Sequence, residues 1–368
     1  MSLSLSLPRL RRLARRLALI LLWLVYLLVL IQLAGWIWFG LGIGRPIESY
    51  GYPVGLFAPH DKLDYFYTPH FQGHFNGGAY QDIPIRINGQ GFRDDEFGPK
   101  SPGRKRLVVL GDSVVFGAGA REEQRFTELL QAEPPAGAAP LEVLNLGVNS
   151  YTFGHYLALA EAGFLGLAPD AVLVGFTLND NDPRSRAWPA EKAGRGEQAA
   201  PGTEDRVRQW LSRLAGARLL RDVRTRLQFA VMNADEQEAY HTKWMRRVAA
   251  SWQDAQTVAR LRDELARFQA LLLGQGRPFA VLLFPERNDV ARPGAFNGAR
   301  KAVLGLLEER GIAVCDPYDA FAAAPDAAAL YLPQDSVHFS AAGHRLLGTL
   351  LAACIADGRV PLGPPAGR

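Results

Sequence analysis

Residues 106–119 read RLVVLGDSVVFGAG. The run Leu107–Leu110 is continuously apolar, Gly111, Asp112 and Ser113 close it, and apolar residues resume at Val114–Phe116 before Gly117. A short, uninterrupted apolar run suits a strand buried on both faces, and a serine at its end stands on a strand-to-helix turn. Four further runs of this kind follow: EVLNLG (142–147), AVLVGFTLND (171–180), FAVLLFP (279–285) and IAVCD (312–316). Helical patterns separate them near 122–132, 154–166, 256–274 and 297–310, with a last one near 340–356. Strands alternating with helices predict an α/β fold, a five-stranded parallel sheet covered on both sides. In such a sheet ligands bind beyond the carboxyl ends of the strands, so the residues just after each run carry the chemistry.

The bulk composition, 48% apolar and 21% charged over 368 residues, is that of an ordinary globular chain. The sequence pI of about 9.1 comes from Arg9, Arg11, Arg12, Arg15 and Arg16: without these five, the 41 basic residues fall to 36 against 37 acidic ones. No basic face for a nucleic acid is implied. Directly after them, residues 17–44 (LALILLWLVYLLVLIQLAGWIWFGLGIG) contain no charge and one strongly polar side chain, Gln32. About 20 helical residues already cross the hydrocarbon core of a bilayer. The arginines before the run, Arg45 alone directly after it, and Trp36, Trp38 and Phe39 at its far end orient it with the N-terminus in the cytoplasm. A cleaved signal peptide is the rival reading, but its apolar region is usually ~7–15 residues and ends at a small-x-small site. The expectation is a retained single-pass anchor in a bacterial inner membrane, with the body periplasmic or otherwise extracytoplasmic.

The chain therefore divides into a cytoplasmic basic tail (1–16), a transmembrane helix (17–44), a juxtamembrane β-ribbon cover (45–104), the α/β domain (105–358) and a tail (359–368). In the cover, the alternation of IPIR before Asn88-Gly89 reads as a ribbon reaching a turn. The α/β domain carries an insertion at 183–255, whose first part resembles an exposed linker. Its next part places Val207, Trp210, Leu211, Leu214, Val223 and Leu227 at near-helical spacing among seven arginines. Such a helix either lies on lipid headgroups, forms a lid, or packs on the domain with a solvated cationic face; the last is the expectation. Cys315 and Cys354 would lie in a compartment that permits a disulfide, yet each reads more simply as a small buried apolar residue.

Three strand ends carry polar side chains of the kind acyl transfer needs. Ser113 ends the first run. Asn179 ends the third and can offer an amide N–H to an oxyanion. After the fifth run stands DSVHFSAAGH (335–344), whose two-residue spacing lets one loop present Asp335 and His338 together. An aspartate holding the Nδ1 proton leaves Nε2 free to take a proton from serine. None of these would be persuasive alone, since Gly-Asp-Ser, Asx turns and capping histidines are common in structural roles.

With GDSVVFGAG, NLGVNSY, GFTLND and DSVHFSAAGH in this order, the chain resembles the SGNH or GDSL hydrolases over roughly residues 85–358; NGQGFRD (88–94) also resembles a stretch that precedes the nucleophile in membrane-anchored bacterial members. The resemblance implies a flavodoxin-like three-layer sandwich, a Ser113/His338/Asp335 triad, no metal and no cofactor. It also implies an oxyanion hole from the Ser113 N–H, the Asn179 amide and a backbone N–H in the second block. There the family's glycine falls at Ser150, and Gly147 is the other candidate. The implied activity is an esterase acting through an acyl-Ser113 on O-acyl, chiefly O-acetyl, esters of an envelope glycan or lipid. Two alternatives stay open: an O-acyltransferase supplied by a membrane acyltransferase partner, and a non-catalytic assembly or glycan-binding protein.

Other signals are weaker. Ser113 lacks the Gly-x-Ser-x-Gly elbow, and Gly117-Ala-Gly119 lacks the third glycine of a dinucleotide fingerprint. His60, His70 and His74 read as ribbon or surface residues rather than metal ligands, and Asp180 and Asp182 as residues that shape a loop.

Overall fold

A computed structural model describes residues 7–41, 52–53, 55–77, 80–135, 139–181, 214–231, 233–292, 294, 297–333 and 335–362. In chain order the first elements are α1 (Leu7–Gly40), β1 (Phe57–His60), β2 (Asp64–Tyr67), β3 (Gln72–Gly77), β4 (Tyr80–Arg86), β5 (Lys105–Gly111), α2 (Ser113–Phe116), α3 (Phe126–Ala132), β6 (Leu141–Gly147), α4 (Phe153–Glu161) and β7 (Ala171–Phe176). There follow α5 (Ala215–Val231), α6 (Ala234–Gln253), α7 (Ala255–Gly274), β8 (Phe279–Leu283), α8 (Arg287–Ala291), α9 (Asn297–Glu309), β9 (Ala313–Cys315), α10 (Tyr318–Ala322) and α11 (Ala341–Ala356). The chain divides into two compact units, one within Met1–Pro53, Asn76–Gly78 and Ala200–Val231, the other within Val54–Phe75, Ala79–Ala199 and Met232–Arg368.

In the first unit, α1 contains a 28-residue stretch, Arg11–Trp38, long and apolar enough to cross a membrane. Helix α5 lies against it. The contact is close because small residues meet there: a Cβ added at Gly35 would lie 2.4 Å from the Ala215 carbonyl. The Gly216 N–H donates to Gln32 Oε1 at 3.0 Å, which gives the one strongly polar side chain of the apolar run a partner. Within this unit the described part of the insertion's amphipathic segment is thus a helix on α1; Val207, Trp210 and Leu211 lie outside the described residues. Its arginines 206, 208 and 213 lie outside the described residues.

The second unit is built on a five-stranded sheet in the order β6-β5-β7-β8-β9, parallel throughout. Side chains alternate across it. Leu107, Val109, Leu173, Ala280 and Leu282 share one core cluster with Phe126 and Leu130 of α3 and Leu347 and Leu351 of α11. The intervening residues, Val108, Leu110, Val172 and Val174, are equally buried, and on that side α4 packs with α7, Phe153 meeting Phe268 edge-on at 5.4 Å. Both faces are covered, which is why the middles of the inner strands β5, β7 and β8 read as unbroken apolar runs; the edge strand β6 carries Glu142 and the buried Asn145. Helices α7, α9 and α11 begin and end within one residue of the sequence expectation, whereas α3 starts four residues late and α4 ends five residues early; the Ser340 hydroxyl caps α11 by accepting the Gly343 N–H at 3.3 Å, and the Asp254 carboxylate caps α7 by accepting the Gln256 N–H at 3.2 Å.

Before the sheet, β1 pairs antiparallel with β2, and β3 pairs with β4. Asn88-Gly89 is not a hairpin turn, for β4 takes its partner from upstream. Asn88 instead closes a loop, accepting the Phe92 N–H at 2.9 Å and donating to the Asp95 carbonyl at 2.8 Å, so the backbone finds its hydrogen bonds without a second strand.

Cys315 of β9 and Cys354 of α11 form a disulfide, with Cα atoms 5.8 Å apart; both are buried, as the apolar reading required, but they are bonded. The bridge closes a loop of 39 residues, and loop-closure entropy of that length contributes about 2–4 kcal/mol. The Cys315→Ala/Cys354→Ala pair should lower the unfolding free energy by that amount and the denaturation midpoint with it, and adding reductant should move the wild type toward the variant; equal midpoints in all samples would contradict the bridge.

Candidate active site

Strand β5 ends at Gly111, and Asp112 caps the single turn α2, its Oδ1 accepting the Val114 N–H at 2.9 Å. Ser113 is therefore the first helical residue at the carboxyl edge of the sheet. One turn generates little macrodipole, so what α2 offers a developing anion is chiefly the Ser113 N–H, which has no acceptor among the described residues. The turn sits almost on the strands. A Cβ at Gly111 would lie 2.1 Å from Val115 Cγ2, and one at Gly147 would lie 2.2 Å from the Phe116 nitrogen.

Across the edge, the Asp335–His338 loop brings the imidazole to the serine. His338 Nε2 is 2.7 Å from Ser113 Oγ, and His338 Nδ1 is 2.8 Å from Asp335 Oδ2. Asp335 Oδ1 accepts the N–H groups of Val337 and His338, each at 2.8 Å, which orients the carboxylate toward the ring. Arg287 of α8 donates to the Asp335 and Leu332 carbonyls at 3.1 and 3.3 Å and holds the loop. Burial lowers the His338 pKa, but the charge and hydrogen bond of Asp335 and the charge of Asp112 outweigh it and hold the ring above the usual 6.5. His344, six residues on, has the opposite character. Burial and the charges of Arg125, Arg93 and His338 push it down to about 3, and it stacks as a neutral ring on Phe126.

Asn179 is buried beyond β7; its amide bonds Asp112, and its Oδ1 has no partner among the described residues. The second-block candidates separate clearly. Gly147 donates its N–H to Asn145 Oδ1 at 3.0 Å, so it is not available to an oxyanion; its place in the sequence reflects space beside α2. Ser150 has φ of +61°, the left-handed conformation a glycine adopts freely and another residue holds at a cost of about 1–2 kcal/mol. Its N–H has no acceptor among the described residues.

Several residues that support this edge were assigned no individual role by the sequence. Arg93, in the NGQGFRD stretch, is buried and donates to the Phe116 and Gly117 carbonyls at 3.2 and 2.8 Å and to those of Pro84 and Ala120 at 3.1 and 2.8 Å, satisfying the end of α2. Asp94 accepts the Asn145 N–H at 2.7 Å, and Asn145 in turn donates to the Val115 carbonyl at 2.7 Å. The Thr177 hydroxyl lies 3.0 Å from Asp112 Oδ2 and 2.9 Å from Asp180 Oδ1. Burial raises the pKa of Asp112 against the Val114 N–H, the charge of His338 and the Thr177 and Asn179 side chains. Burial and the charge of Asp112 push Asp180 well up. Asp182 lies outside the described residues. His60 packs against Phe66, and His70 faces Glu96.

Glu286, just past β8, is another buried acid. Burial raises its pKa to about 8, the Leu178 N–H opposes the shift, and the charges of Asp112, Asp289 and Asp335 add to it. An acid with a folded pKa of about 8 against an ordinary 4.5 loses folding stability as pH rises through that window, because only the unfolded chain releases the proton easily. Glu286→Gln should therefore melt higher than wild type at pH 8 and show a smaller loss of stability between pH 5 and 8; a parallel pH dependence in the two proteins would refute the protonated state.

The model of the GDSL-like Lipase/Acylhydrolase family matches residues 109–346. No curated protein matches the chain. Among solved structures, the lipase/acylhydrolase from Enterococcus faecalis is 16% identical, with 72% of this chain and 100% of that one covered at a TM-score of 0.40. The psychrotrophic esterase EstA from Pseudoalteromonas sp. is 12% identical, with 69% and 97% covered at 0.38. A catalytic mutant of Axe2, an acetylxylan esterase from Geobacillus stearothermophilus, is 17% identical, with 72% and 99% covered at 0.36. The family match spans more than half of the chain and includes Ser113, Asn179, Asp335 and His338: the chain belongs to the GDSL-like lipase/acylhydrolase family and is an SGNH-type hydrolase.

Proposed function

We propose that this protein is a membrane-anchored serine esterase, facing outward from a bacterial inner membrane, that removes O-acyl groups from an envelope glycan or lipid. Acetyl is the acyl group to test first. The observation that carries the reading is the continuous chain of hydrogen bonds from Ser113 Oγ through His338 to Asp335. Outward placement is supported by the arginines that precede the apolar run and by the Cys315–Cys354 bridge, which persists in an oxidising compartment.

The steps follow from the geometry. His338 Nε2 takes the Ser113 proton as Oγ attacks the ester carbonyl carbon. The N–H groups of Ser113 and Ser150 and the Asn179 amide hold the oxyanion that forms. Collapse breaks the bond to the alcohol, which leaves with the proton from His338. Water, deprotonated in turn by His338, then attacks the acyl-Ser113 ester and releases the carboxylic acid. Asp335 stays ionised and stabilises the imidazolium in both halves. A sugar or lipid hydroxyl in place of that water would make the same intermediate a transferase.

A fluorophosphonate probe should label Ser113, and the protein in detergent should hydrolyse a chromogenic acetate ester. Ser113→Ala should abolish labelling and lower kcat/KM on the order of 10⁴- to 10⁶-fold. Hydrolysis untouched by that substitution would defeat the mechanism, and transfer to an added oligosaccharide faster than hydrolysis would replace the esterase by the transferase.

The base must be neutral, so activity should rise with pH, with a midpoint above 6.5 because Asp335 and Asp112 favour protonated His338. Asp335→Asn should lower the rate and move the midpoint down; a wild-type midpoint below 6.5 would contradict the electrostatic assignment.

A further inference from the structure

Ser150 is the one residue of the proposed site that departs from the family's glycine, and it holds a backbone conformation that side chains disfavour. Its support comes from strand β2. The Tyr65 hydroxyl donates to the Asn149 carbonyl at 2.7 Å, and the Tyr67 hydroxyl accepts the Asn149 N–H at 2.8 Å. The peptide groups on both sides of Asn149 are thereby held by two buried phenols from a hairpin more than 80 residues upstream.

Planarity of the peptide gives the first of these bonds a directional effect. The bond between Asn149 and Ser150 is trans, so the Asn149 carbonyl and the Ser150 N–H point in opposite directions within one plane. A donor fixed on the carbonyl sets the direction in which the N–H faces. The second bond fixes the preceding plane, so the rotation between the two planes is set as well.

The phenols are themselves constrained. The Tyr151 hydroxyl donates to the Tyr65 carbonyl at 2.6 Å, and the Tyr65 and Tyr151 rings meet edge-on at 5.3 Å. His155 stacks on Tyr151 at 4.3 Å; its Nδ1 accepts the Thr152 N–H at 3.1 Å, and its Nε2 faces Asp64 Oδ2 at 3.4 Å. The Tyr67 ring lies 5.3 Å from that of Phe116 in the nucleophile turn. Tyr67 therefore touches both the turn carrying Ser113 and the loop carrying Ser150.

We infer that Tyr65 and Tyr67 are positioning residues for the oxyanion site, holding Ser150 in the left-handed conformation and aiming its N–H at the reacting carbonyl. The inference rests on the esterase reading, in which that N–H stabilises the oxyanion. It makes the hairpin that follows the apolar segment part of the catalytic apparatus, and it explains how serine is accommodated where the family carries glycine.

The test uses the full-length protein in detergent and a chromogenic acetate ester. Tyr65→Phe and Tyr67→Phe keep the rings and remove only the hydroxyls; together they should lower kcat by roughly 10- to 100-fold, part of the ~10²- to 10³-fold effect of losing an oxyanion donor, with KM changed less than threefold. Hydrogen exchange should increase at the Asn149 amide. Adding Ser150→Gly to the double variant should restore part of kcat, since glycine reaches the conformation unaided; a merely structural loss would not be rescued in this way. Ser113-dependent turnover in wild type with an unchanged kcat in the double variant would overturn the positioning role and leave the esterase reading standing. Absence of Ser113-dependent turnover in wild type would overturn both.

Discussion

The turn that carries Ser113 lies so close to the sheet that three adjacent strand ends have no room for a side chain. A Cβ at Gly111, Gly147 or Gly175 would fall 2.1, 2.2 or 2.5 Å from atoms of Val115 and Phe116. This approach sets the height of Ser113 above the strand ends, and hence the distance the imidazole must span. It also leaves the far end of a one-turn helix buried with unsatisfied carbonyls. Arg93 meets that requirement with four hydrogen bonds, which explains an arginine lying almost without solvent exposure in a stretch well before the sheet.

A second consequence is electrostatic. Packing the turn against the strand ends places Asp112, Asp180, Glu286 and Asp335 around one small volume. Asp335 receives two backbone N–H groups and the imidazole, and these favour its charged form. Glu286 and Asp180 are pushed upward by burial and by neighbouring acids, in Asp180 against the N–H and hydroxyl that Thr177 donates to it. The environment thus selects which carboxylate can stabilise a histidinium. Two histidines six residues apart are separated in the same manner: His338 faces carboxylates, and His344 lies among arginines in an apolar stack.

The segment before the sheet is more than a cover. Its loop at 88–95 supplies Arg93 and Asp94 to the turn and to β6, and its first hairpin holds the loop beyond β6 through tyrosine hydroxyls. Both sets of contacts converge on the edge where Ser113 stands. The family's chemistry is therefore carried here by a sheet and by a preceding strap that orients two of its loops.

The sheet was legible in the sequence because strands covered on both faces allow no polar position in their middles, and the unbroken runs at 107–110, 171–174 and 279–283 record that requirement directly. Ser113 was legible for a related reason, since in a parallel sheet the chemistry lies just past each run, whereas Asp335 and His338, 20 and 23 residues beyond the end of β9, were legible from the two-residue spacing between them. What the sequence left open depends on partners distant along the chain. The Gly147 N–H is spent on the Asn145 side chain, and two phenols at 65 and 67 hold the peptide groups around Asn149. Whether Cys315 and Cys354 bond is decided by how α11 lies over β9, which brings their Cα atoms within 5.8 Å. The insertion helix finds its partner in α1 through small residues that carry no periodic signal. Local pattern determined the elements and the strand ends that could hold chemistry, because burial acts on each residue where it stands; tertiary structure alone decided which donors are spent, which acids keep their protons and which side chains hold the loops, because these are set by atoms that meet only when the chain has folded.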